Sequence, residues 1–230
     1  MQEIYEVGGA SLGQRFTLAT AGALCAAAAW WLLLGHGIGT VALWTGHTAS
    51  AGDLARRICL GAALTIYFIR ILFTQFVFLR RGGSWSEAFT IVPWVFCITV
   101  WLCLAGGTNG APLGIVATAG IVLFVAGSWM NSGAEYARHY WKQRAENQGK
   151  LYTLGWFRLT RHPNYCGDLI SFSGLALIAG RWNTAMIPAL MLAGFVFVNV
   201  PALDRHLKKR YGAAFDEWAR RTRKLIPFVY

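Results

Sequence analysis

The chain has 230 residues, of which 56% are hydrophobic and 13% charged. A soluble domain carries about 25% charged residues, so this composition excludes an ordinary soluble fold. The net charge of +11 would suit nucleic acid, but the basic residues lie between and after long apolar runs, and no nucleic-acid recognition fold can be built from such segments.

A spanning helix needs about 20 mostly apolar residues, and backbone polar groups in lipid must be satisfied within the segment. Six runs qualify in chain order: 16–34, 58–79, 88–105, 112–130, 164–180 and 184–202, the last two forming a hairpin. The stretch 35–44 is apolar but too short to span; it reads as an interfacial or re-entrant piece, or as an extension of the first helix. The segment 133–149 is polar and continues the fourth helix. The tail 204–223 reads as one amphipathic helix, with Leu207, Tyr211, Phe215 and Trp218 near helical spacing. By itself, such a tail also suits a surface helix on anionic lipid. The expected fold is all-α: a polytopic transmembrane bundle of about six spans with a cytoplasmic helix extension.

Charge orders the loops. Arg80 and Arg81 follow the second run, the basic segment 138–161 follows the fourth, and the basic tail 205–224 follows the sixth. Six spans place all of these on one side, so both termini are expected in the cytoplasm. Arg56 and Arg57 are a minor violation. The first 13 residues hold two acids and no base, so no cleaved signal peptide is expected. Cys25, Cys59, Cys97, Cys103 and Cys166 form no CxxC pair; four of them lie in apolar runs and so read as small buried hydrophobes. Neither a disulfide framework nor a metal site is expected.

Ionisable residues inside spans are costly and usually functional. Arg70 lies mid-run, one turn beyond Tyr67 on the same helix face. It either pairs with an acid or a helix-end carbonyl, or lines a polar cavity. Asn131, Glu135, Arg138 and Lys142 follow at steps of four, three and four, again on one face. That stripe suits a ligand with an amide or hydroxyl at its inner end and phosphates at its outer end; it also suits a solvated face with a Glu135–His139 pair. Pro163 disfavours helix at His162 and fits the first turn of a new helix. That turn presents free N–H groups and a positive dipole end, beside Arg161 and His162: an anion site. Asn164 and Asp168 share the next face.

The stretch Gly155–Trp156–Phe157–Arg158–Leu159–Thr160–Arg161–His162–Pro163–Asn164–Tyr165–Cys166–Gly167–Asp168 resembles the signature of the membrane sterol reductases and steroid 5α-reductase-like proteins. The ending matches too: Lys208–Lys209–Arg210–Tyr211–Gly212, then Trp218, then Leu225–Ile226–Pro227–Phe228–Val229–Tyr230. Isoprenylcysteine carboxyl methyltransferases and phospholipid methyltransferases share a looser form of both motifs. The resemblance covers 131–230 and is more specific for the superfamily than for the reaction.

The resemblance implies a single membrane domain with substrate-side spans in 1–130 and a cofactor half in 131–230. It implies a nicotinamide site lined by Asn131, Glu135, Arg138 or Lys142, Asn164, Asp168, Arg205, His206 and Tyr211, with Arg161, His162 and Tyr165 in the signature itself. Asp204 stands where the methyltransferases and sterol reductases carry a Glu. Tyr67 and Arg70 resemble a tyrosine and arginine of the 5α-reductases, where the tyrosine hydrogen-bonds a substrate carbonyl. Those enzymes pair that tyrosine with a glutamate in an early span; here the acids before Tyr67 are Glu3, Glu6 and Asp53, none of them inside a span. The implied activity is NADPH-dependent reduction of a C=C bond in a lipophilic enone. The alternative is an S-adenosylmethionine-dependent methyltransferase acting on a prenyl-cysteine carboxylate or a lipid amine. Membrane lipid is the expected surrounding, and no obligate protein partner is expected.

Overall fold

The computed structural model describes residues 12–78 and 85–230. Leu79, Arg80 and Arg81, at the expected end of the second span, lie outside the described residues, as do Glu3 and Glu6. The helices are α1 (Leu12–Leu34), α2 (Gly37–Trp44), α3 (Leu54–Phe73), α4 (Trp85–Gly107), α5 (Ile115–Gln143), α6 (Pro163–Ala179), α7 (Met186–Gly194), α8 (Val200–Tyr211) and α9 (Ala213–Arg221). π-helical turns at Thr74–Phe78 and Phe195–Asn199 extend α3 and join α7 to α8. No strand occurs among the described residues, and the architecture is an all-α polytopic bundle. The segment 35–44 turns out to be a separate helix, α2, which leaves Leu43 and Trp44 about four-fifths exposed.

Among the described residues, five helical stretches are long and apolar enough to cross a membrane: Gly13–Leu34, Leu54–Phe78, Ala88–Gly107, Ile115–Gln143 and Trp182–Tyr211. The remaining expected span is α6, whose 17 residues rise about 25 Å. It is the central helix, in contact with α3, α4, α5 and α7. Leu33, Leu60, Leu64, Leu102, Leu175, Ile178 and Ile187 are fully buried around it. Cys25, Cys103 and Cys166 are buried, whereas Cys97 is exposed on α4.

The short α6 is completed by protein groups at its ends. Pro163 opens it and Gly180 closes it with a φ of 68°, a conformation that favours glycine. Asn109 Nδ2 donates to the carbonyls of Ala179 and Gly180 at 3.0 Å each. Arg56, only 4% exposed, donates to the carbonyls of Ile178, Ala111 and Pro112. Arg57 donates to Leu33 O at 2.8 Å. The two arginines that break the charge rule therefore act as cations on helix-end carbonyls, not as loop charges. Arg56→Ala is expected to cost about 2–4 kcal/mol of stability, since it orphans several buried carbonyls. Thermal unfolding in detergent measures this. Arg56→Lys should recover only part of the loss, because an ammonium lacks the planar fork that spans three acceptors.

α5 and α6 touch backbone to backbone. A Cβ on Gly167 would lie 2.6 Å from both Asn131 N and Gly127 O, and one on Gly174 would lie 2.5 Å from Gly120 O. This is the small-residue packing by which membrane helices approach closely.

The tail departs from expectation. It is two helices, broken at Gly212 with a φ of 52°, and α9 folds back. Phe215 and Trp218 bury against Ala134, Tyr152 and Phe157, and Trp218 Nε1 donates to Phe157 O at 2.9 Å. An apolar stripe meant for lipid is spent on the α5 extension instead.

Candidate functional site

The close α5–α6 contact sets the floor of the site. Beside Gly167, the buried Asn131 amide donates to Asn164 O at 2.9 Å. One turn further out, Glu135 and Asp168 lie within electrostatic reach of each other. Glu135 accepts from Arg138 at 2.5 Å, so the Glu135–His139 pair of the alternative solvated-face reading does not form. His139 instead meets Gln143 at 2.8 Å and the Phe78 ring at 5.6 Å.

α3 closes this corner. Arg70, 8% exposed, donates from Nη2 to Asp168 Oδ1 at 2.6 Å. Its Nη1 is buried with no hydrogen-bond partner. The guanidinium sits 5.3 Å from the centre of the Tyr67 ring, a cation–π distance. Tyr67 is held edge-on by Phe172 at 5.0 Å, and its phenol has no hydrogen-bond partner among the described residues; neither has the Asn164 side-chain amide. One corner thus gathers an orphaned guanidinium N–H and a phenol, with Asp168 as a neighbouring anion. Such donors fit a ligand oxygen. The acid absent from the early spans is supplied to this corner by α6.

A second cluster holds the tail. Arg161, 7% exposed, grips Asp204 with Nε at 3.3 Å and Nη2 at 2.9 Å. Its Nη1 donates to Ala219 O and Thr222 O at 3.1 and 3.0 Å. His162, 1% exposed, meets the same carboxylate at 2.9 Å. Tyr165 stacks between His162 and Phe195. These residues bind one another and tie α8 and α9 to the start of α6. Beside them lies a cavity of about 690 Å³, whose lining includes Arg161, Arg220, Arg223, Lys224 and Tyr230; Arg70 and Asp168 do not line it.

Farther out, Lys142 donates to the Tyr211 hydroxyl at 2.9 Å and also to Lys150 O. Arg205 is exposed and His206 half-buried. The structure therefore brings Tyr67, Arg70, Asn131, Glu135, Arg138, Asn164 and Asp168 together, gathers Arg161, His162, Tyr165 and Asp204 into a separate knot, and sets Lys142 with Tyr211. Sequence reasoning missed Phe172 and the glycine contact. The seven-residue spacing shared by Gly120/Gly127 and Gly167/Gly174 was the available signal.

Known proteins divide along the same line as the motifs. The chain is 39% identical over 111 residues to "Probable O-methyltransferase ustE" of Ustilaginoidea virens, covering 44% of this chain and 38% of that protein. It is 32% identical over 91 residues to Protein-S-isoprenylcysteine O-methyltransferase B of Arabidopsis thaliana, covering 40% and 46%. It is 34% identical over 115 residues to Steroid 5-alpha-reductase DET2 of Arabidopsis thaliana, covering 48% and 41%. The chain spans less than half the length of each of these relatives. Residues 85–222, more than half of the chain, match the family described as "Protein of unknown function (DUF1295)", and the chain belongs to that family of steroid 5α-reductase- and isoprenylcysteine methyltransferase-like membrane enzymes.

Proposed function

We propose that the chain is an NADPH-dependent reductase of a C=C bond in a lipophilic enone, with both termini in the cytoplasm. The observation that carries this reading is the Arg70 corner: a buried guanidinium with one N–H unused, next to an unbonded phenol. Tyr67 donates to the substrate oxygen and stabilises the charge that develops there. Arg70 orients Tyr67 and adds a second donor from Nη1. Asp168 fixes Arg70.

The residues fit the cofactor. Asn164 lies at the inner end of the stripe, its backbone carbonyl bonded to Asn131, while Arg138, Lys142 and Arg205 supply cations for phosphates farther out. When bound, NADPH supplies the hydride, which is the cofactor's own chemistry. Asn131 and Glu135 stand beside the cofactor's inner end. Arg161, His162, Tyr165 and Asp204 position the tail, and with it His206 and Tyr211.

A methyltransferase using S-adenosylmethionine is the second reading. It is favoured by the relatives named as methyltransferases, and by the fit of a buried guanidinium to a carboxylate. Thermal unfolding of the purified protein with each cofactor separates the two. NADPH at one hundred times its dissociation constant should stabilise by about 2.7 kcal/mol. Stabilisation by S-adenosylmethionine and not by NADPH would overturn the ranking. Asn164→Ala is expected to remove the NADPH shift while leaving the melting of the cofactor-free chain nearly unchanged, since its side chain holds nothing in the fold. An unaltered shift would remove Asn164 from the site.

A further inference from the structure

The face of α5 opposite the polar stripe carries a different feature. Ser132, Gly133 and Tyr136 lie on it, turned away from Asn131, Glu135 and Arg138. Together with Tyr152, Gly155 and Trp156 they line a largely apolar groove of about 690 Å³, a volume suited to one small lipophilic molecule. The groove straddles the point where α5 passes from apolar to polar. Trp129 and Tyr136, which also line it, are 72% and 55% exposed, as aromatics at a membrane boundary are.

Two donors face this groove without partners. A Cβ on Gly155 would sit 3.6 Å from the Tyr152 hydroxyl, and one on Gly133 would sit 3.7 Å from Trp156 Nε1. Both glycines line the groove, so both polar atoms border it. Neither the Tyr152 hydroxyl nor Trp156 Nε1 has a hydrogen-bond partner among the described residues. Tyr152 is only 7% exposed, its ring packed on Trp141 and Phe157. Burial pushes its phenol above the ordinary value, against the opposing pull of Arg158, so it stays a donor at neutral pH. Neither atom is among the fully buried unpaired side-chain atoms, so each is open to the groove and can meet a ligand oxygen there.

We infer that this groove binds a lipophilic molecule entering from the bilayer, its hydrocarbon chain along α5 and a carbonyl oxygen accepting from Tyr152 and Trp156. The site is separate from the Arg70 corner and does not depend on which reaction occurs there.

The test is photolabelling of the purified full chain in nanodiscs with a diazirine-bearing long-chain ketone, mapped by peptide mass spectrometry. Label should concentrate on 129–137 and 152–159 and be displaced by excess unlabelled ketone. Gly133→Leu, whose Cβ has room but whose side chain fills the groove, should abolish the displaceable label. Tyr152→Phe should weaken the ketone's half-saturation roughly 3- to 10-fold, one hydrogen bond's worth, and leave labelling by the matched alkane diazirine unchanged. Label spread over the lipid faces of the bundle and insensitive to both substitutions would overturn the site. Equal weakening of ketone and alkane by Tyr152→Phe would overturn the carbonyl assignment.

Discussion

Asp168→Asn is expected to destabilise the folded chain by about 2–3 kcal/mol, and by more than Arg70→Met does. Removing one partner of a buried ion pair costs about 3–5 kcal/mol because the other charge is left uncompensated. The Asp168 side chain is 26% exposed and that of Arg70 only 9%, so water offsets part of the loss. The asymmetry comes from chemistry. Arg70 cannot shed its proton and would remain a cation in an apolar corner. Asp168, deprived of Arg70, can take up a proton or turn toward water, so Arg70→Met should cost about 1 kcal/mol. The double variant Arg70→Met/Asp168→Asn should be more stable than the sum of its parents implies, because neither partner's charge is then left unpaired. Chemical denaturation of the four proteins in detergent measures the cycle. Strict additivity would mean that the pair does not form. On the proposed reductase reading, turnover should fall at least about 100-fold in every variant lacking Arg70, since that reading loses an oxyanion donor and the support of Tyr67 together.

That pair also marks where the sequence stopped being legible. Apolar runs near 20 residues located the spans, and Pro163 located the start of α6, because length and a missing N–H are local properties. Arg70 and Asp168 are 98 positions apart, and no periodicity links them. Arg70 stands out as an ionisable residue inside a span and Asp168 as a residue on one face with Asn164, but which polar residues meet is decided by helix packing. The same limit explains the Arg161–His162–Asp204 knot: three residues read as ligands of one cofactor hydrogen-bond one another. Glu135 had neighbours at both three and four positions on, and helical spacing alone does not choose between Arg138 and His139. In the tail, Leu207, Tyr211, Phe215 and Trp218 kept helical phase across Gly212, so the pattern hid a break that only the core around Phe157 reveals. Arg56 and Arg57 violated the charge rule because loop counting does not foresee an arginine that turns inward to cap carbonyls.

Gly167→Ala should be among the most damaging single-methyl changes in the bundle. The added carbon would lie 2.6 Å from Asn131 N and from Gly127 O. Both are backbone atoms in the middle of a helix and cannot swing aside, so α5 and α6 must separate. Overpacking of this kind costs about 1–3 kcal/mol, and lost helix–helix contact in lipid adds to it. Separation at this level also pulls the Asn131 amide from Asn164 O, now 2.9 Å apart, and moves Asp168 relative to Glu135. Gly174→Ala meets Gly120 O at 2.5 Å and should lower stability comparably, but it acts two turns below the site. Thermal unfolding with and without cofactor tells the two apart. Both variants should melt early, and only Gly167→Ala should also lose the cofactor-dependent shift. Gly39→Ala in α2 has no atom within 4 Å of the new carbon and should be neutral or slightly stabilising. If Gly167→Ala behaved like Gly39→Ala, the two helices would not approach this closely, and the corner built on their contact would lose its floor.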